Sequence, residues 1–132
     1  MKPTLPLFTL VAALLGGCSI PPTAGLLQVT TVDSPIVRVT RADVERAADG
    51  WRVTGLVLRR RDAGSTTATH IDVSCIAADG RVLRTTQVRF EPAEIEFRPR
   101  HAPVAHFQCA LEPLPPETAR IEIRAHEGTE NP

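Results

Sequence analysis

The chain has 132 residues, and its 15 basic and 15 acidic side chains leave no formal net charge. This balance provides no excess of positive charge for nucleic acid and no acidic tail, so we expect neither a nucleic-acid partner nor a charged interaction tail. One tryptophan, four phenylalanines and no tyrosine leave few rings for a platform that stacks sugars or bases.

Residues 1–17 have the three parts of an export signal. Lys2 gives a positive start, residues 5–15 are mostly apolar, and Gly16 and Gly17 are the small residues that a signal peptidase requires at its cleavage site. The apolar stretch is about half as long as the roughly 20 residues that a transmembrane helix needs. The sequence therefore predicts a signal peptide.

Cys18 ends this segment in the motif Leu15-Gly16-Gly17-Cys18, which closely resembles the lipobox of bacterial lipoproteins. The resemblance implies cleavage before Cys18, a diacylglyceryl group on its thiol and an acylated amino group, hence attachment to a membrane. Ser19 in place of aspartate implies the outer membrane, facing the periplasm. The alternative is an ordinary secretory signal in which the cysteine occurs by chance.

Cleavage would leave one small domain with a single core. Residues 18–35 begin with a proline-bearing spacer and form the predicted tether, although residues 26–32 could instead be a first strand. We assign residues 36–127 to the folded domain and residues 128–132 to a C-terminal tail. Residues 40–49 could also form a short helix.

Within the domain, apolar and polar residues alternate with the period of two that half-buried antiparallel strands show. The runs that follow this pattern are residues 36–40, 51–58, 70–77, 93–100, 105–111 and 119–125. Asp-Gly pairs at 49–50 and 79–80 are typical of tight hairpin turns. About seven short strands at this spacing predict an all-β fold, a single Ig-like antiparallel β-sandwich.

Residues 51–83 add a resemblance to a family. The strand Val53-Thr54-Gly55-Leu56-Val57, followed by an alternating strand that ends in Asp79-Gly80, is similar to the small Ig-like FxLYD-type domains of bacterial envelope proteins. The aromatic-Leu-Tyr-Asp stretch of that family is replaced here by Ile76-Ala77-Ala78-Asp79. The family has no assigned catalytic residues to transfer.

Cys75 and Cys109 lie on the predicted inward faces of alternating strands. In an exported protein, an even pair of cysteines favours a disulfide. We therefore predict a Cys75–Cys109 bridge. Two buried free thiols are the alternative.

The four histidines do not form a pattern of metal ligands. His101 and His106 are five residues apart and would face opposite ways on one strand. His70 could pair with Asp72, but two ligands do not make a site. We expect solvated histidines, no metal and no cofactor.

No catalytic constellation stands out either, and no GxSxG turn surrounds a serine. Glu94 and Glu96 share a predicted strand face, as paired carboxylates of a glycosidase could. Arg98 and Arg100 continue that face, which favours a solvated ladder of charges. We therefore predict that the protein is not an enzyme.

The strongest surface feature is the triplet Arg59, Arg60 and Arg61, which opens a polar loop at residues 59–69. The loop is long for a hairpin and has no large apolar residue to bury, so it is the candidate binding surface, for anionic lipid or for an acidic partner. The alternatives are a solvated strand end and an unselected surface loop.

These features favour a membrane-anchored, non-catalytic interaction module that binds another envelope protein, accessory to an envelope or secretion assembly. The alternative function is a periplasmic inhibitor or ligand-binding lipoprotein, similar to the lipoproteins that inhibit lysozyme. Such an inhibitor would have to insert a serine-bearing loop into an enzyme cleft, and residues 62–69 are the candidate.

Overall fold

A computed structural model describes residues 27–128, which form seven strands in two sheets and contain no helix. The predicted β-sandwich is confirmed. The predicted signal peptide, Cys18 and residues 19–26 of the tether lie outside the described residues, as do residues 129–132. Residues 28–32, which could have been tether, form the first strand.

Short connections join consecutive strands, except for two long ones at residues 60–69 and 89–103. They are β1 (Gln28–Val32), β2 (Val37–Ala47), β3 (Gly50–Arg59), β4 (His70–Ala77), β5 (Val82–Val88), β6 (Val104–Leu111) and β7 (Thr118–His126). Both predicted Asp-Gly hairpins are present, with positive φ at Gly50 and Gly80. Residues 40–47, a possible helix by sequence, belong to β2 because they pair along β3.

One sheet has the order β1-β7-β4-β5 and the other the order β2-β3-β6. All pairings are antiparallel apart from β1 with β7, which run parallel. The two sheets face each other over a core of alternating inward residues. Its fully buried members include Val53, Val57, Ile71, Val73 and Ile121.

The chain enters the sandwich at one end, which we name the entry end. β1 begins there, with Gln28 opposite Arg120, and the last residue of β4, Ala77, is opposite Thr118. The loop after β6 is at the same end, because Arg84 donates hydrogen bonds to its backbone carbonyls. Leu27 therefore leads into the domain at the same end as the turn at residues 78–81.

The opposite end, which we name the distal end, carries the two long connections. His70 begins β4 there, opposite His126. In the other sheet, Val37 is opposite Arg59, and Val39 N–H donates to Asp33 Oδ1 at 3.0 Å. The distal end thus holds the 60–69 loop, between β3 and β4, and the 89–103 loop, between β5 and β6.

The strand predicted at residues 93–100 is wrong. This segment is an irregular part of the 89–103 loop. Ile95 is buried as expected, but Phe97, expected in the core, is 59% exposed. Pro92 precedes the segment and Pro99 lies within it, and a proline lacks the N–H that a strand ladder needs.

The predicted disulfide is not formed, so that prediction is corrected: Cys75 and Cys109 are free, buried thiols. They lie inward on β4 and β6, as expected, in different sheets. Cys109 Sγ donates a weak hydrogen bond to the Ala110 carbonyl at 3.7 Å. Burial raises the pKa of both thiols.

Candidate functional site

The distal end brings the 60–69 loop and the 89–103 loop together through one buried threonine. Thr66 is fully buried. Its hydroxyl donates to the Ala93 carbonyl at 2.7 Å and accepts from the Ile95 N–H at 2.8 Å. A hydroxyl can do both at once, so Thr66 completes the hydrogen bonding of a segment that pairs with no strand.

A carboxylate forms the second connection between the loops. Glu94 accepts hydrogen bonds from Ser65 Oγ at 2.6 Å, from Thr66 N–H at 3.2 Å and from Thr67 Oγ1 at 3.3 Å. The Ser65 hydroxyl, followed by the other donors and by the Arg59 charge, lowers the pKa of Glu94 below its ordinary value of 4.5. Glu94 therefore remains ionised and holds the 60–69 loop.

Arg59 forms the third connection. Its Nη1 donates to the Ile95 carbonyl and its Nη2 to the Ala63 carbonyl, both at 2.8 Å. The side chain is only 20% exposed and lies 3.8 Å from a Glu94 oxygen. We use the name distal loop pair for these two loops, because Arg59, Thr66 and Glu94 join them into one unit.

The predicted binding triplet therefore divides into three different roles. Arg59 is a structural residue inside the distal loop pair. Arg60 lies 3.4 Å from Asp33 Oδ2 in a half-exposed ion pair. Arg61 is exposed and has no ion pair within residues 27–128.

Although the 60–69 loop has no large apolar residue, Thr66 is buried in the core of the distal end. Ser65 and Thr67, in the segment considered as an insert for an enzyme cleft, both bind Glu94. The tip of the loop, at Arg61 and Asp62, is exposed and can meet a partner.

Sequence reasoning missed the second half of the site, the turn at residues 98–101. His101 N–H donates to the Arg98 carbonyl at 3.2 Å, and Arg100 has a φ of 71°. Pro99 and Arg100 thus occupy the central positions of a type II turn, in which glycine is usual at the second. Phe97 precedes the turn and is exposed.

The carboxylates considered for glycoside chemistry do not act as a pair. Glu94 binds the 60–69 loop, while Glu96 forms an exposed ion pair with Arg98 at 2.7 Å. Beside them is an open cleft of about 440 Å³, lined by the apolar residues Ile95 and Pro103 and also by Glu94, Glu96 and Arg98. The cleft is large enough for one or two side chains of a partner.

The histidines lie apart, except for one pair. His70 is buried and stacks on His126, with ring centroids 5.5 Å apart, and its Nε2 lies 3.4 Å from Asp72 Oδ1 without the alignment of a hydrogen bond. His101 is in the exposed turn and His106 is on β6. Among residues 27–128, no three metal-binding side chains converge.

Searches of protein-family models, curated proteins and solved structures found no match to this chain. Within the described range, no helix has the length and apolar character needed to cross a membrane.

Proposed function

We propose that this protein is a bacterial lipoprotein, held on a membrane by acylated Cys18, whose β-sandwich is a non-catalytic module that binds another envelope protein. The Leu15-Gly16-Gly17-Cys18 motif after an apolar run supports the anchor. Ser19 supports a place on the outer membrane, facing the periplasm. The proposed partner binds the distal loop pair.

The observation that carries this proposal is that the chain enters at one end of the domain and the distal loop pair lies at the other. The chain enters beside the start of β1, and the distal loop pair is at the other end of the strands. An anchor on Cys18 thus leaves the distal loop pair directed away from the anchor. Loops on a rigid sandwich are where recognition residues concentrate.

No observation favours the inhibitor alternative. An inhibitory loop must project into the cleft of an enzyme, whereas Thr66 is buried and Ser65 and Thr67 bind Glu94. The interaction module needs only the exposed rim of the two loops.

Lipidation is tested by Cys18→Ala in the full chain. We expect the variant to lose acylation and signal processing at this site, measured as the mass of the intact protein and by its release from washed membranes. A mature mass equal to that of the wild-type protein would contradict the anchor.

Binding is tested by capture of the full-length protein from envelopes solubilised in a mild detergent. We expect one envelope protein to co-purify in a fixed ratio and to bind again when both proteins are purified. Immobilised muramidase is the matched probe for the alternative. Retention by muramidase without an envelope partner would replace the interaction module by the inhibitor.

A further inference from the structure

The exposed turn of the 89–103 loop carries a phenylalanine that the fold does not use. Phe90 and Phe107 are 1% and 4% exposed, but Phe97 is 59% exposed. Val82 is the other large apolar residue exposed within residues 27–128, and it lies at the entry end. An aromatic ring presented beside an open cleft is typical of a residue that anchors a protein contact.

Backbone strain is concentrated at the same end. In residues 27–128, the non-glycine residues with positive φ are Asp62 and Arg100. One lies at the tip of each loop of the distal loop pair. Glycine would adopt either conformation freely, and strained positions with exposed side chains cluster in binding loops.

The distal loop pair carries charges of both signs, with a small excess of arginines. Arg100 and Arg61 have no ion pair in the part of the chain that the structure describes. Arg98 pairs only with Glu96, and both side chains are about two-thirds exposed, so water and other carboxylates can displace this pair. The surface thus combines guanidinium groups with one ring and a cleft whose lining is partly polar and partly apolar.

Two kinds of anionic surface could complement it, a lipid bilayer or an acidic protein. β7 has nine residues at about 3.4 Å each, so the distal end is about 30 Å from the entry end. Residues 19–26 span at most about 29 Å when fully extended. With Cys18 in the bilayer, the distal end could reach the lipid only if residues 19–26 were almost fully extended, and attraction to lipid charge decays within about 8 Å. The geometry therefore favours an acidic protein over the bilayer as the partner.

Resting on the proposed function, we propose that the distal loop pair binds an acidic protein segment that carries an apolar side chain. Arg61 and Arg100 pair with its carboxylates, and Phe97 packs against its apolar side chain, which enters the cleft beside Ile95. The connections through Arg59, Thr66 and Glu94 hold both loops ready, which reduces the entropy lost on binding.

Photo-cross-linking in cells tests the surface and its partner together. Benzoylphenylalanine replaces Phe97 in the full chain, with replacement of Val82, equally exposed at the entry end, as the matched control. We expect position 97 to cross-link one protein, at a peptide with several Asp or Glu residues around an apolar residue. Cross-links to lipid, to a basic or neutral peptide, or equally from both positions would overturn the proposal.

A direct assay uses a fluorescent peptide with glutamates on both sides of a leucine, and the same peptide with lysines as its control. We expect Arg61→Ser with Arg100→Ser to weaken binding of the acidic peptide by about 5- to 10-fold, and Phe97→Ser to weaken it by a similar factor. Preference for vesicles of phosphatidylglycerol and phosphatidylethanolamine over the peptide would contradict the proposal.

The same variants separate this inference from the proposed function. If the envelope protein co-purifies with wild-type protein and equally with Phe97→Ser and the double arginine variant, the module binds elsewhere and the inference fails alone. If no envelope protein is captured even by the wild-type protein, the proposed function fails.

Discussion

The buried Thr66 hydroxyl should contribute more to stability than any other polar group of the distal loop pair. Thr66→Val keeps the shape of the side chain but removes both of its hydrogen bonds, to the Ala93 carbonyl and from the Ile95 N–H. The Ile95 N–H is buried, so it cannot turn to water instead. A buried polar group without a partner costs about 1–3 kcal/mol.

We therefore expect Thr66→Val to lower the free energy of unfolding by about 2–4 kcal/mol. For a domain of this size, the midpoint of thermal unfolding falls by roughly 10–20 °C. Thr31→Val is the matched control, because Thr31 is exposed on β1 and its hydroxyl makes no hydrogen bond among the described residues. Its effect should stay within about 0.5 kcal/mol.

The assay is urea unfolding followed by the fluorescence of Trp51, the only tryptophan. Trp51 lies on β3 opposite Leu111, at the entry end, so a shift in its transition reports cooperative unfolding and not a local change beside Thr66. If Thr66→Val and Thr31→Val unfold at the same urea concentration, the connection between the two loops does not stabilise the domain and the reasoning fails.

Three further predictions concern other parts of the molecule. Gly55→Ala should destabilise the domain by about 1–3 kcal/mol, because its Cβ would lie 2.3 Å from the Phe107 ring and 2.6 Å from a backbone oxygen. Gly64→Ala is the control and should not destabilise, because the space around Gly64 is open. Equal urea midpoints for the two variants would contradict this prediction. Cys75 and Cys109, buried and with raised pKa values, should resist thiol reagents in the folded state and both label after unfolding without reductant; fewer labels would indicate a bridge. The folded state lowers the pKa of Glu94 below 4.5, so the contribution of ionised Glu94 to stability is present above that pH and is lost as the pH falls through the lowered value. The difference in the free energy of unfolding between wild type and Glu94→Gln should therefore shrink in acid. A difference that does not depend on pH would contradict this prediction.

Alternation of apolar residues was enough to predict β4, β6 and β7, but not β5 or the second half of β2. β4, β6 and β7 each bury every second residue against the core, so their sequences carry the period directly. The parallel pairing of β1 with β7 could not be predicted in this way, because it joins the two ends of the domain and depends on contacts distant in sequence.

The same alternation misled at residues 93–100, where Ile95 is buried for a different reason. Its backbone is held by Thr66 and Arg59 from another loop, and not by a neighbouring strand. Pro92 just before this segment and Pro99 within it were the available signal against a strand. Burial of Thr66 had no such signal, because its partners are 27 and 29 residues away.

The period of two on β3 could also have predicted that the three arginines at 59–61 have different roles. Val53, Val57 and Arg59 have the same parity on β3, and the two valines are fully buried. Continuing the alternation would have directed Arg59 inward and separated it from Arg60. The triplet was treated as one charged patch, although only its last member is an unpaired, exposed cation in the described residues.

Within the distal loop pair, some polar side chains fix the loops and others are free for a partner, depending on where their hydrogen-bond partners lie. Arg59, Thr66 and Glu94 use their hydrogen bonds inside the protein, so they fix the positions of the two loops and have little left for a ligand. Arg61 and Arg100 lie on the outer sides of the same loops and keep their donors for a partner. A rigid base with free groups at its rim binds at a lower cost in entropy than a flexible loop of the same composition. The internal hydrogen bonds that exclude Ser65 and Thr67 from an enzyme cleft are therefore the ones that make this end of the sandwich suitable for recognition.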